Sequence, residues 1–217
     1  MTNPHSHVIL AHGLGLRPRS LAKIAHTLHE QGYTIRDFSY DSLRVTLTEA
    51  ADLLYPVYAS AAQTASTIHF VTHSMGGIVL RRLLARASLP KLGKIAMTGP
   101  PNQGSVVAKR LLEHPLLSTI IGPAAQELRD PAYLNTVCAL PTAPVLVIAG
   151  TRSQDLRNPV SLLSRTFLTE PSDGTVTIQE THLPQMARFV QVDECHTWLP
   201  SHPQTLGEIA AFFGPAY

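Results

Sequence analysis

Six short apolar runs recur along this 217-residue chain with helix-type patterns between most of them, and that alternation restricts the fold more than any other feature. The runs cover residues 7–11, 33–40, 67–73, 94–99, 143–150 and 187–192. Several are continuously apolar rather than alternating, as "HVILA" and "APVLVIAG" are, so both faces of each strand must be covered. Helical patterns occupy 20–32, with Ser20 as N-cap and Gly32 as stop, 46–64, with Pro56 as a kink or break, 75–87 and 203–213. The expectation is an α/β fold: one domain over 1–217, with a mostly parallel sheet of about six strands and helices on both faces. Right-handed crossovers then gather the carboxyl ends of the strands on one edge, where ligands bind. Two segments break the rhythm. Residues 101–142 are an apolar insertion with five prolines, read either as a partial lid or pocket wall or as a buried helix pair. Residues 151–175 read as a polar loop.

Composition removes several function classes. A formal net charge of +2 without long like-charge runs gives no nucleic-acid footprint and no polybasic membrane patch. Cys138 and Cys195 form no C-x-x-C pair, which argues against a disulfide framework or a thiolate zinc site and for two buried free thiols. His26 and His29 have helical spacing and His5 and His7 share a strand face, but no H-E-x-x-H or carboxylate-rich motif accompanies them, so no metal is expected. "GLG" at 13–15 lacks the third glycine of a dinucleotide fingerprint, so no cofactor is expected either. The N-terminal stretch shows no charged region followed by an apolar one, and no run is long enough to span a bilayer; a cytoplasmic location without membrane insertion is the expectation. Nothing in the sequence indicates an oligomeric state.

The chemistry concentrates at "THSMGG", residues 72–77. Ser74 stands between a β-branched run and a helical pattern, on a strand-to-helix corner that would project its hydroxyl over the sheet edge. The corner is crowded, so small residues are expected two positions either side. Gly76 fits; Thr72 does not, and the approach to the corner is expected to relax around it. A nucleophilic serine requires backbone N–H donors for an oxyanion. Met75 at the helix start and Leu14 in the "AHGLG" turn are the candidates. It also requires a base and an acid, which follow the serine in chain order in this architecture. His196 follows the last strand at the same edge, whereas His182 precedes that strand and His202 starts the closing helix. Asp173, in an Asp-Gly turn before the extended run "TVTIQ", is favoured as acid over Asp155.

Together these residues resemble the α/β-hydrolase superfamily of serine esterases and lipases, and most of all its small bacterial lipase-like members. The likeness runs from "AHGLG" through "THSMGG", "GPPNQGS" (99–105) and "DGTV" (173–176) to "CHTWL". It implies a Ser74–His196–Asp173 triad, an oxyanion hole at Leu14 and Met75, and cofactor-free hydrolysis of a small carboxylic ester with an apolar acyl group. Thioesterases share the same apparatus, and a non-catalytic acyl-binding protein of this fold is the remaining alternative.

Overall fold

The computed structural model describes residues 6–114 and 121–216. Its sheet has six strands: β1 (Ser6–Ala11), β2 (Thr34–Phe38), β3 (Thr67–His73), β4 (Leu92–Thr98), β5 (Val145–Gly150) and β6 (Arg188–Val192). They lie in the order β2-β1-β3-β4-β5-β6, every neighbouring pair parallel. β1 and β5 are buried along their whole length, which is why they read as unbroken apolar runs. The edge strands β2 and β6 carry exposed residues and a mixed sequence.

Helices α1 (Ala22–Glu30) and α2 (Leu47–Ala62) precede β3, and α3 (Met75–Arg86) follows it. Among the described residues of the insertion are the short helices α4 (Val106–Leu112), α5 (Gly122–Leu128) and α6 (Pro131–Val137). α7 (Pro159–Ser164), α8 (Ile178–Thr181) and α9 (Pro203–Phe213) complete the described helices. One core joins α2 and α3 to the sheet through Leu54, Ile78, Phe70 and Met97; the other joins α1 and α9 through Ile24, Leu28, Ile209 and Val71. The chain leaves β1 toward β2 and returns to β3 on β1's other side. The carboxyl ends of β1 and β3 therefore flank the point where strand order reverses, the crevice where such sheets bind ligands.

Four expectations are corrected. Ser20 does not cap α1: a 3₁₀ turn over Pro18–Leu21 precedes that helix, and the Ser20 hydroxyl donates to the Arg17 carbonyl instead. Of the kink or break expected at Pro56, the break does not occur, and α2 runs on through it. The apolar face Leu47–Ala51–Leu54–Tyr58–Ala61 continues past it, and Pro56 and Asp52 lie on the exposed side, where water can serve the carbonyl that proline leaves unpaired. Residues 151–175 contain α7, begun by Pro159 at its first position. "TVTIQ" is not an extended run: residues 175–176 are bends, and Thr177 bridges Ser172 and caps α8 in a capping box with Glu180; the T-x-x-E signature was present in the sequence. Of the apolar stretch 111–123, residues 115–120 lie outside the described residues. No described helix is long and apolar enough to cross a membrane.

Candidate active site

Ser74 occupies the single residue between β3 and α3, with φ 53° and ψ −128°. A non-glycine residue pays roughly 1–3 kcal/mol for such a conformation, so the corner must be held from outside. Gly13 and Gly76 allow that hold. A Cβ on Gly13 would lie 2.8 Å from the Ser74 Cβ, and one on Gly76 would collide with the Ala11 carbonyl and lie 2.8 Å from that of His12.

The structure brings three sequence-predicted residues into one hydrogen-bonded line. The Ser74 hydroxyl donates to His196 Nε2 at 2.9 Å, and His196 Nδ1–H donates to Asp173 Oδ2 at 2.7 Å. Asp173 is fully buried and His196 nearly so. The second Asp173 oxygen accepts the N–H groups of Thr175 (3.0 Å) and Val176 (2.7 Å), and its carbonyl accepts the His196 N–H at 3.0 Å. The tight turn is made possible by Gly174 at φ 86°. Asp155, the other candidate acid, is committed elsewhere. Its carboxylate accepts from Arg157 at 2.6 Å, and that guanidinium holds it far below the usual carboxylate range. His182 stacks on Phe189, and His202 caps α9 by accepting the Gln204 N–H.

Leu14 and Met75 both border a cavity of about 300 Å³ that opens beside Ser74 and His196. Met75 is the first residue of α3, so its N–H has no acceptor within the helix. The cavity is mostly apolar. The described parts of the insertion form one wall through Val107, Leu111, Ala125 and Leu128.

The sequence matches no protein-family model and no curated relative. Solved structures do match. The mature form of Bacillus licheniformis lipase BlEst2 superposes with a TM-score of 0.82 at 15% identity, over 97% of this chain and 92% of the lipase. The chain has the α/β-hydrolase fold. A metagenomic carboxyl esterase, MGS0156, gives 0.73 at 17% identity over 98% of this chain and 76% of its own. A structure titled for LipS and LipT, two metagenome-derived lipolytic enzymes, gives 0.66 at 15% identity, over 96% and 93%.

On this α/β-hydrolase scaffold the sequence left several supporting residues unread. Gly99 directly follows β4, and Gly150 ends β5. A Cβ on Gly99 would stand 3.0 Å from the His196 ring; one on Gly150 would collide with the Glu194 carbonyl and meet the Asp173 Cβ at 2.7 Å. The signal was a glycine at each strand's carboxyl end, "MTG" and "IAG". Glu194 holds the loop before His196, taking Arg157 at 2.8 Å, Arg152 at 3.0 Å and the Cys195 N–H at 2.9 Å. Asp155, Glu194 and Cys195 are the one described group whose ligand-type atoms lie together, within 4.8 Å. Those two guanidinium groups already neutralise its carboxylates and oppose a cation.

Thr72 is accommodated differently from the relaxed approach expected. It is fully buried, β3 keeps its pairing to Met97 and Ala11 through it, and the room comes from Gly77. A Cβ at Gly77 would lie 3.2 Å from Thr72 Oγ1 and 3.3 Å from Pro100 Cβ. Gly77→Ala should therefore cost about 1–2 kcal/mol of stability, the overpacking exceeding the helix-propensity gain. In a Thr72→Gly background the cost should fall by half or more. Urea denaturation of the four proteins measures this coupling; additivity would refute the shared-space account.

Three buried histidines are kept neutral by the fold. Burial lowers His73 well below its usual value, helped by His196, whose ring centroid is 4.7 Å away. His73 Nδ1–H donates to the Thr98 carbonyl at 3.0 Å. Burial also lowers His12, and pushes His69 down to about 4. In the unfolded chain each takes up a proton near pH 6.5, while the folded chain does so only lower. Below pH 6.5 the unfolded state binds more protons, so stability falls as pH falls, by at most about 1.4 kcal/mol per pH unit for a histidine between its unfolded and folded values. For His69 the loss continues to about pH 4. Thermal midpoints at pH 7.5 and 5.5 test this; a midpoint that stays level or rises on acidification would disprove it.

Proposed function

We propose that this chain is a serine hydrolase of carboxylic esters that carry an apolar acyl group. The observation that carries the reading is the Ser74–His196–Asp173 hydrogen-bonded line at the mouth of a mostly apolar cavity. His196 takes the Ser74 proton as Oγ attacks the ester carbonyl. Asp173 holds the tautomer that leaves Nε2 free to accept, and stabilises the imidazolium. The N–H groups of Leu14 and Met75 receive the oxyanion. His196 then returns the proton to the leaving alcohol, and water repeats the cycle on the acyl-enzyme. No step calls for a metal or cofactor.

The cavity gives the test its scale. The cavity, about 300 Å³, is lined mostly by apolar groups that a chain of methylenes would cover. Each methylene buried contributes about 0.8 kcal/mol, a factor near four. Along a series of p-nitrophenyl esters, kcat/KM should rise severalfold per methylene from acetate until the chain outgrows the cavity. A peak at acetate would reject the acyl-pocket assignment. Matched thioesters show whether the preference is for oxygen or sulfur esters, and binding without Ser74-dependent turnover would instead make the chain a non-catalytic acyl-binding protein.

A further inference from the structure

We infer that Tyr40 and Ser42, on the turn after β2, are positioning residues for the loop Gly13–Gly15, holding the Leu14 N–H where it meets a developing oxyanion. The inference rests on the ester-hydrolase reading and adds to it two residues that touch neither Ser74 nor His196 by hydrogen bond.

The two candidate donors differ in how they are held. Met75 belongs to a twelve-residue helix and inherits its rigidity. Leu14 lies between two glycines, Gly15 at φ 68°, and the loop's own bond, Leu16 N–H to the Gly13 carbonyl, is long at 3.3 Å. Glycine on both sides removes the stiffness that fixed donors require. That stiffness is supplied across the molecule. The Tyr40 hydroxyl donates to the His12 carbonyl at 2.9 Å, and the Gly15 N–H donates to Ser42 Oγ at 2.9 Å. One pin lies on each side of Leu14.

The pins are themselves anchored. The Tyr40 ring is stacked between Phe38 and His12, each centroid 4.6 Å away. Ser42 is buried, and its N–H donates to the Tyr40 carbonyl at 3.1 Å. The same turn also meets the cavity wall: a Cβ on Gly122 of α5 would collide with the Leu43 carbonyl, and the Leu47 N–H donates to Glu127 at 2.6 Å. The Leu14 peptide, whose Gly13 carbonyl also meets His12 Nδ1 at 2.9 Å, is thus braced on both flanks, by a buried bond from Tyr40 and a partly buried one to Ser42.

Tyr40→Phe and Ser42→Ala each remove one oxygen and leave the stack and backbone in place, and either variant alone decides the matter. The readouts are kcat, KM, thermal midpoint and the affinity of a trifluoromethyl ketone of matched chain length. That ketone forms a bond from Ser74 Oγ to its carbonyl carbon, the serine proton passes to His196, and the carbonyl becomes an oxyanion. Deleting a whole oxyanion donor costs about 10²–10³ in kcat, so loosening one should cost about 10- to 100-fold. The expected result is that loss in kcat with KM within about threefold, and an equal loss in ketone affinity. Two results overturn the inference: kcat and ketone affinity within threefold of the native chain, or a kcat loss that leaves ketone affinity unchanged and follows the thermal midpoint alone. A native chain with no Ser74-dependent hydrolysis would instead overturn the ester-hydrolase reading, and this inference with it.

Discussion

Ser74→Ala is expected to lower ester hydrolysis by about 10⁴-fold or more and to abolish labelling by a fluorophosphonate, with the fold intact. Such a probe reacts with a serine activated by its neighbours, and here the activating contact is the 2.9 Å bond to His196 Nε2. Alanine removes the hydroxyl but not the conformation: φ 53° is as unfavourable for alanine as for serine, so Ser74→Ala should leave the thermal midpoint within a few degrees. Ser74→Gly separates the two properties. Glycine adopts that backbone freely, so it should be equally inactive yet more stable, by about 1–2 kcal/mol or roughly 2–8 °C for a chain of this length. A Ser74→Gly midpoint below that of Ser74→Ala would mean that the corner stores no strain. Retained labelling in either variant would remove Ser74 from the mechanism.

What was legible in the sequence was what burial on both faces and chain order impose. β3 and α9 have the bounds read from pattern alone, because a strand covered on both faces and a helix started by Pro203 leave little freedom at their ends. The convergence of Ser74, His196 and Asp173 on one sheet edge could be read because an elbow, a residue just past the last strand and an Asp-Gly turn are local features. Ser20 as a cap and Pro56 as a break misled because a propensity states what a residue permits, while the neighbouring elements decide what it does. The supports of the site were illegible for another reason: their partners are far off in the chain. Tyr40 reaches His12 across 28 residues and Ser42 reaches Gly15 across 27, so no window of sequence contains both ends of either bond. Thr72 looked like a departure from the elbow pattern only while Gly77 was read as an ordinary helix residue.

Gly76→Ala and Gly207→Ala are the same chemical change inside two helices, and they should move stability in opposite directions. Helix propensity alone favours both by about 0.5–1 kcal/mol, since glycine loses the most backbone freedom on folding. In α9, Gly207 is exposed and a Cβ there meets nothing within 4 Å, so that gain should appear in full as a midpoint raised by about 1–4 °C. At Gly76 the added carbon faces backbone, not a side chain that can turn away. It collides with the Ala11 carbonyl and lies 2.8 Å from that of His12, at the end of β1 where the Leu14 loop begins. Relieving that overlap means separating α3 from β1. Overpacking of this kind costs about 1–3 kcal/mol or more, which exceeds the propensity gain. The net effect should be a midpoint lowered by several degrees. The separation also moves the Leu14 loop, the proposed site of one oxyanion donor, away from the helix proposed to carry the other, and a displacement of about 1 Å at such a site costs on the order of 10² in rate. Hydrolysis by Gly76→Ala should fall by that order, while Gly207→Ala keeps native activity. Scanning calorimetry and one ester assay on the pair decide it: a Gly76→Ala protein as stable and active as Gly207→Ala would show that the close approach of β1 to α3 does not hold the elbow.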